Sequence, residues 1–169
     1  TIPLYWLAFA ATCYVALTIE LPWYHVLASL IGLGAMFAGV FCVRHELGHR
    51  TNSLLRWGAK SSIAMFGYCH FHIEHNRGHH VHVSTPEDPA SSKFGETIYK
   101  FVRREIPGPF RRAWELETAR LHRLGKSEWS LSNEIIQPAL VTVAAYTLML
   151  AYFGPIMIPF LMIAAAFGW

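Results

Sequence analysis

Residues 2–19 (IPLYWLAFAATCYVALTI) run apolar without a charge, and after a short break residues 26–43 (VLASLIGLGAMFAGVFCV) do so again. Each stretch approaches the roughly 20 apolar residues that a helix needs to cross the hydrocarbon core of a bilayer, so the pattern predicts two transmembrane helices. The break, Glu20-Leu-Pro-Trp-Tyr-His25, sets Pro22 where a helix stops and places Trp23 and Tyr24 where aromatic rings favour the membrane interface. The pair therefore reads as a hairpin. A second apolar region, 135–153, leads through Gly154-Pro155 into 156–167 and predicts another hairpin, with Pro138 and Pro159 tolerated near helix starts or as kinks. The competing reading of this region is a buried helix pair of a soluble protein.

Between the hairpins the pattern changes. Residues 61–73 (SSIAMFGYCHFHI) are apolar but too short to cross and hold two histidines, so a helix buried against the bundle or lying at the interface is expected. In 93–106 Phe94, Ile98, Phe101 and Ile106 recur at near-helical spacing among Lys and Arg. Pro107-Gly-Pro109 then breaks the chain before a second basic amphipathic stretch with Phe110, Trp114 and Leu121; such helices suit a membrane surface.

Composition supports the membrane. The 169 residues are 53% hydrophobic, 14% aromatic and only 15% charged, with a mean hydropathy of +0.29, too oily for an ordinary soluble domain. All 14 Lys and Arg lie between Arg44 and Lys126, which by the positive-inside rule puts that segment in the cytoplasm; Arg44, Arg50, Arg56 and Lys126 lie close to the spans and count most. The three cysteines, Cys13, Cys42 and Cys69, follow no CxxC pattern and indicate neither a disulfide framework nor a zinc ribbon. The chain starts at Thr1 and stops at Trp169 inside an apolar run, so it is expected to be a piece of a longer protein. The fold expected is all-α: a polytopic transmembrane helix bundle with a cytoplasmic helical metal-binding region. Its parts would be a hairpin over 1–43, a cytoplasmic region over 44–134, and a second, truncated hairpin over 135–169, all within one incomplete domain. Nothing points to nucleic acid.

Two histidine boxes carry the chemistry, His45-Glu-Leu-Gly-His49 and His75-Asn-Arg-Gly-His79-His80. On a helix, His45 and His49 project from one face, His75 and His79 repeat the spacing, and His80 points about 100° further round. Imidazole suits iron, copper, zinc and nickel alike. The first box is literally H-E-x-x-H, the zinc-protease signature with Glu46 as general base, so an intramembrane protease is a rival reading. It leaves the second box unexplained, because catalytic zinc takes three protein ligands and an open position. A histidine-rich metal carrier or transporter is a third class. Ligating histidines usually donate their other ring nitrogen to a carboxylate or carbonyl, and Glu46, Glu74, Glu87 and Asp88 are candidates for that support. The turn Thr85-Pro-Glu-Asp-Pro89 either closes over the site or simply connects elements. His25 and His122 read as ordinary surface or core residues, and His70, His72 and His82 as supporting donors or interfacial side chains.

HELGHR (45–50), EHNRGHH (74–80), STPEDPASSKFGE (84–96), IYKFVRREIPGPFRRAWELE (98–117) and GKSEWSLSNEIIQP (125–138) together resemble the bacterial alkane 1-monooxygenases of the membrane fatty-acid desaturase and hydroxylase superfamily. The resemblance covers nearly the full chain. It implies a non-haem di-iron centre, two Fe ions, with His45, His49, His75, His79 and His80 as ligands and no catalytic residue beyond them. The family's third and fourth boxes, N-Y-x-E-H-Y-G and L-Q-R-H-S-D-H-H, are absent here and are expected beyond Trp169, so this piece alone is expected to be inactive. Arg50 stands where the family commonly has Lys, and His72 and His82 where it has other residues; neither extra histidine inherits a role. The resemblance further implies hydroxylation of the terminal carbon of medium- and long-chain n-alkanes with O2. Electrons would come from rubredoxin, fed by an NAD(P)H-dependent rubredoxin reductase, and the location would be the bacterial inner membrane with the metal on the cytoplasmic side. Other members of the superfamily hydroxylate fatty acids or xylene, or desaturate. Lys100, Arg103, Arg104, Arg111 and Arg112 are candidate contacts for acidic rubredoxin or, equally, for lipid headgroups.

Overall fold

A computed structural model describes residues 2–49 and 52–168; Arg50, one of the basic residues invoked for orientation, lies outside the described residues. Every regular element among the described residues is helical, which bears out the all-α expectation. The chain divides into two compact units, one of residues 1–67 and 140–169, the other of residues 68–139.

In the first unit, α1 (Ile2–Thr18) and α2 (Trp23–Gly48) follow the first apolar hairpin. Nothing in Arg44-His-Glu-Leu breaks a helix, so α2 runs past the apolar stretch to Gly48 and carries His45 in its last turn, with His49 as C-cap. α3 (Ser53–Ala64) starts on Asn52, whose side chain accepts from the amides of Leu54 at 2.9 Å and Leu55 at 3.3 Å. The single helix expected over 61–73 is not formed. α3 ends at Ala64, and Gly67, at φ 72°, turns the chain through a conformation that side chains resist.

α8 (Ile136–Phe153) and α9 (Met157–Gly168) follow the second apolar region. α2 and α8 are long and apolar enough to cross a membrane; α1, at 17 residues, and α9, at 12, are apolar but shorter than the predicted spans required. Phe9 and Cys13 of α1, Leu33 of α2, Met65, and Met157 and Phe160 of α9 form one buried core, with Phe66 edge-on to Phe9 at 5.7 Å between ring centroids. α2 and α9 approach closely because both carry glycine at the crossing. A Cβ on Gly34 would lie 2.6 Å from Phe167 Cβ, and one on Gly168 would lie 2.6 Å from Phe37 Cδ1. Outward apolar side chains such as Leu7, Ile31, Leu148 and Tyr152 are exposed, as a lipid-facing surface requires.

The second unit opens with α4 (Phe71–Ile73), a π-helical turn (Glu74–His79) and α5 (His80–His82), and continues through a long loop to α6 (Ile98–Glu105) and α7 (Pro107–Arg123). The predicted break falls between α6 and α7, and Pro107 opens α7 at the position where its missing N–H costs nothing. Cys69, Ile73, Ala113 and Ile135 form its core, and Leu121 is also buried. Glu117, fully buried on α7, ties that helix to Arg77 and to Glu134 within the same unit. Its Oε1 accepts from Arg120 Nη2 at 2.6 Å and from the Glu134 amide at 2.7 Å; its Oε2 accepts from Arg120 Nε at 2.8 Å and Arg77 Nη1 at 3.5 Å. Asn133, also fully buried, accepts with Oδ1 from the amides of Ile135 at 2.8 Å and Ile136 at 3.3 Å, while its Nδ2 donates to the Glu128 carbonyl at 2.7 Å.

Candidate metal site

In the first unit the end of α2 sets His45 and His49 four residues apart, with ring centroids 4.9 Å from each other and planes at 74°. This is the single-face pairing that helical spacing predicts. Glu46 is exposed on the same helix.

In the second unit the second box departs from the α-helical period. Residues Glu74–His79 wind as a π-turn, and the wider turn brings residues five apart, not four, into register. His75 Nε2 consequently faces His80 Nε2 at 3.1 Å. The expected pairing of His75 with His79 is loosened, their rings stacking at 5.6 Å between centroids. Two imidazole nitrogens at 3.1 Å cannot both aim an N–H at the other, so at least one turns a lone pair inward; the same two nitrogens are close enough together to be offered to one cation. Imidazole donors of this kind suit iron, copper, zinc or nickel.

His79 takes a different partner. Its Nδ1 lies 2.8 Å from Asp88 Oδ2, and Asp88 is buried. Burial opposes the charge on Asp88, but hydrogen bonds from Ser91, from the Ala90 amide and from His79 outweigh it and hold the carboxyl below the usual aspartate range. An ionised Asp88 only accepts, so His79 donates through Nδ1, and in the neutral ring that leaves the Nε2 lone pair, the tautomer a metal ligand needs.

The other carboxylates behave differently from one another. Glu74, also buried, accepts at Oε1 from Arg112 Nη2 at 2.6 Å and Nε at 3.2 Å; burial pushes its carboxyl up against the pull of that guanidinium. The Glu87 side chain is exposed and is held below the usual glutamate range by hydrogen bonds from Thr85 and from its own amide, while its backbone carbonyl accepts from Arg112 Nη1 at 2.8 Å. His72 sits against Asn76 at 3.2 Å, and His122 pairs with Glu128 at 3.1 Å on the surface.

Two of the five basic residues offered as docking contacts are engaged within the fold. Arg104 donates to the carbonyls of Asp88, Pro89 and Ser91 at 3.1, 2.7 and 2.8 Å and to Glu96 Oε2 at 2.7 Å. Arg112 reaches Glu74, Asp88 and the Glu87 carbonyl. Lys100, Arg103 and Arg111 are exposed. The sequence reading missed these internal roles because the partners of Arg112 lie 24 to 38 positions away. The one local signal was Gly78, where a Cβ would meet Arg112 Nε at 2.6 Å.

Apolar helices of spanning length together with two histidine boxes define a membrane protein of the histidine-box class, and residues 21–169 match the family model described as fatty acid desaturase. The chain belongs to that family. Over 169 residues, all of its length, it is 50% identical to the alkane 1-monooxygenase of Pseudomonas putida, covering 42% of that protein. It is 48% identical over the same span to alkane 1-monooxygenase 1 of Alcanivorax borkumensis, again covering 42%. A more distant relative, the xylene/toluene monooxygenase hydroxylase component of Pseudomonas putida, is 34% identical over 113 residues, 67% of this chain and 31% of that one. The chain thus spans about two fifths of the length of the curated relatives it matches.

Proposed function

We propose that this chain carries part of the iron site of a membrane alkane 1-monooxygenase, which uses O2 to hydroxylate the terminal carbon of medium- and long-chain n-alkanes. The observation that carries the reading is 50% identity along the whole chain to a protein named for that activity, joined to two intact histidine boxes. His45, His49, His75, His79 and His80 are the proposed ligands of two non-haem irons. Iron supplies the reactivity toward dioxygen and toward a C–H bond that no side-chain acid or base can open. The chain's own residues orient the ligands: α2 sets the first pair, the π-turn sets His75 and His80, and Asp88 holds the His79 proton on Nδ1. An alkane offers no polar group, so its recognition rests on apolar surface among helices of the kind α2 and α8 provide.

Electrons are assigned to rubredoxin and its NAD(P)H-dependent reductase, with Lys100, Arg103 and Arg111 as the steering charges that remain exposed. The basic segment between Arg44 and Lys126 supports a multi-pass inner-membrane protein with these residues in the cytoplasm.

The deciding assay gives octane to the full-length protein in membranes with rubredoxin, reductase and NAD(P)H. 1-Octanol with coupled iron in the Mössbauer spectrum is the expected result. An alkene product would make the protein a desaturase, and one zinc per chain with peptide hydrolysis would make it a protease. The similarity to the xylene/toluene component favours one second reading, oxidation of an aryl methyl group, so xylene belongs in the same experiment. Raising salt should slow electron transfer from rubredoxin, and Lys100→Gln with Arg103→Gln should flatten that dependence.

A further inference from the structure

We propose that Arg112, on α7, is a positioning residue for the second histidine box, acting through Asp88 to fix how His79 is offered to metal. The inference rests on the reading of His79 as a ligand. One guanidinium reaches three groups in three directions: Nη2 lies 2.6 Å from Glu74 Oε1 and 3.0 Å from Asp88 Oδ1, Nε lies 3.2 Å from Glu74 Oε1, and Nη1 lies 2.8 Å from the Glu87 carbonyl. It thereby fastens the first residue of the π-turn to the loop that carries Asp88. Asp88 in turn receives the His79 ring at 2.8 Å through its other oxygen. The planar fork suits this task and a lysine does not, since an ammonium cannot hold three acceptors in fixed directions.

The turn is shaped to admit the guanidinium. A Cβ on Gly78 would stand 2.6 Å from Arg112 Nε, 2.9 Å from Nη2 and 2.9 Å from Glu74 Oε1, so glycine between Arg77 and His79 is the clearance through which Arg112 reaches its partners. Glu74 and Asp88 are only 3% and 1% exposed. Without Arg112 two buried carboxylates would lose the cation that they share, and the loop would lose its hold on the π-turn.

Full-length protein purified in detergent, loaded with iron(II) and challenged with a competing chelator, tests the proposal by iron retained per monodisperse protein and by Mössbauer spectrum. His79→Ala sets the scale. Arg112→Gln and Asp88→Asn should each weaken iron retention by about 10- to 100-fold and change the spectrum, the size usual for partners of metal ligands. Arg112→Lys should recover only part of that loss, and the double variant Arg112→Gln/Asp88→Asn should be no worse than the weaker-binding single, because both act along one path. Arg123→Gln, an exposed arginine on the same helix, should match the parent. If Arg112→Gln does not yield monodisperse protein, Gly78→Ala and Asp88→Asn carry the same comparison. Parental retention and spectrum in Arg112→Gln, or additive losses in the double variant, would overturn the positioning role while leaving His79 a ligand. Parental iron content in His79→Ala would remove the ligand assignment itself, and the proposal with it.

Discussion

Replacing Glu117 with glutamine keeps the size of the side chain and removes the charge of a fully buried carboxylate of the second unit. The carboxylate is fully buried and accepts four hydrogen bonds, two from Arg120 at 2.6 and 2.8 Å, one from Arg77 at 3.5 Å and one from the Glu134 amide at 2.7 Å. Glutamine retains one acceptor oxygen. If that oxygen takes the Oε1 place, its amino group confronts the Arg120 Nε and Arg77 donors, a mismatch of about 1–3 kcal/mol, and the surviving bond to Arg120 falls from charge-assisted to neutral, losing about 1 kcal/mol more. Arg120 and Arg77 are 24% and 40% exposed in their side chains and recover some hydration, so the net loss should be about 3 kcal/mol at neutral pH and not the larger figure of a sealed pair. Burial works against ionisation of Glu117, but the hydrogen bonds from Arg120 and Glu134 hold its carboxyl below the ordinary glutamate range. A depressed carboxyl stabilises above its unfolded value, about 4.3, and that stabilisation fades as pH falls through the folded value. The gap between parent and variant should therefore be full at neutral pH and close in acid. Thermal unfolding of the detergent-solubilised protein, followed by circular dichroism from neutral pH down into acid, measures both. A variant within 0.5 kcal/mol of the parent at neutral pH, taking that as roughly the scatter of surface substitutions, would refute the reasoning.

Three further outcomes are expected. Asn133→Ala removes the side chain that accepts from the amides of Ile135 and Ile136, and loss of such a cap should cost about 1–2 kcal/mol in the same unfolding assay. Gly34→Ala should destabilise the first unit by about 1–3 kcal/mol through collision with Phe167, whereas Gly32→Ala, with no atom within 4 Å of the added Cβ, should leave it unchanged or slightly firmer; equal behaviour of the two would mean that α2 and α9 do not meet as described. Arg104→Gln should free the carbonyls of Asp88, Pro89 and Ser91, and limited proteolysis between residues 84 and 96 should then run faster than in the parent.

The helices were legible because apolar runs and a missing charge are written residue by residue, and so were the breaks at Pro22 and Pro107. The lengths were less so: α2 continues to Gly48 because helical propensity does not end where hydrophobicity does. The boxes themselves stood out by spacing, yet the spacing misled about partners. A period of 3.6 pairs His75 with His79, while the π-turn pairs His75 with His80 and leaves His79 to Asp88. Such a turn has no periodic signature in a stretch of six residues. Arg104 and Arg112 read as surface charge because a basic run looks the same whether its members face water or a buried carboxylate; only the tertiary fold brings Glu74 to Arg112 across 38 positions.

One helix holds both fastenings of the second unit. From α7, Arg112 secures the π-turn and the Asp88 loop, and five residues further on Glu117 secures Arg77 and the approach to α8. Five residues of α-helix advance about 7.5 Å, so the two clusters stand on one short rigid splint. Slow opening of the native protein should respect that arrangement: amides of the histidine turn and amides around Asn133 belong to one cooperative foldon, released together when α7 lifts away and protected together while it stays.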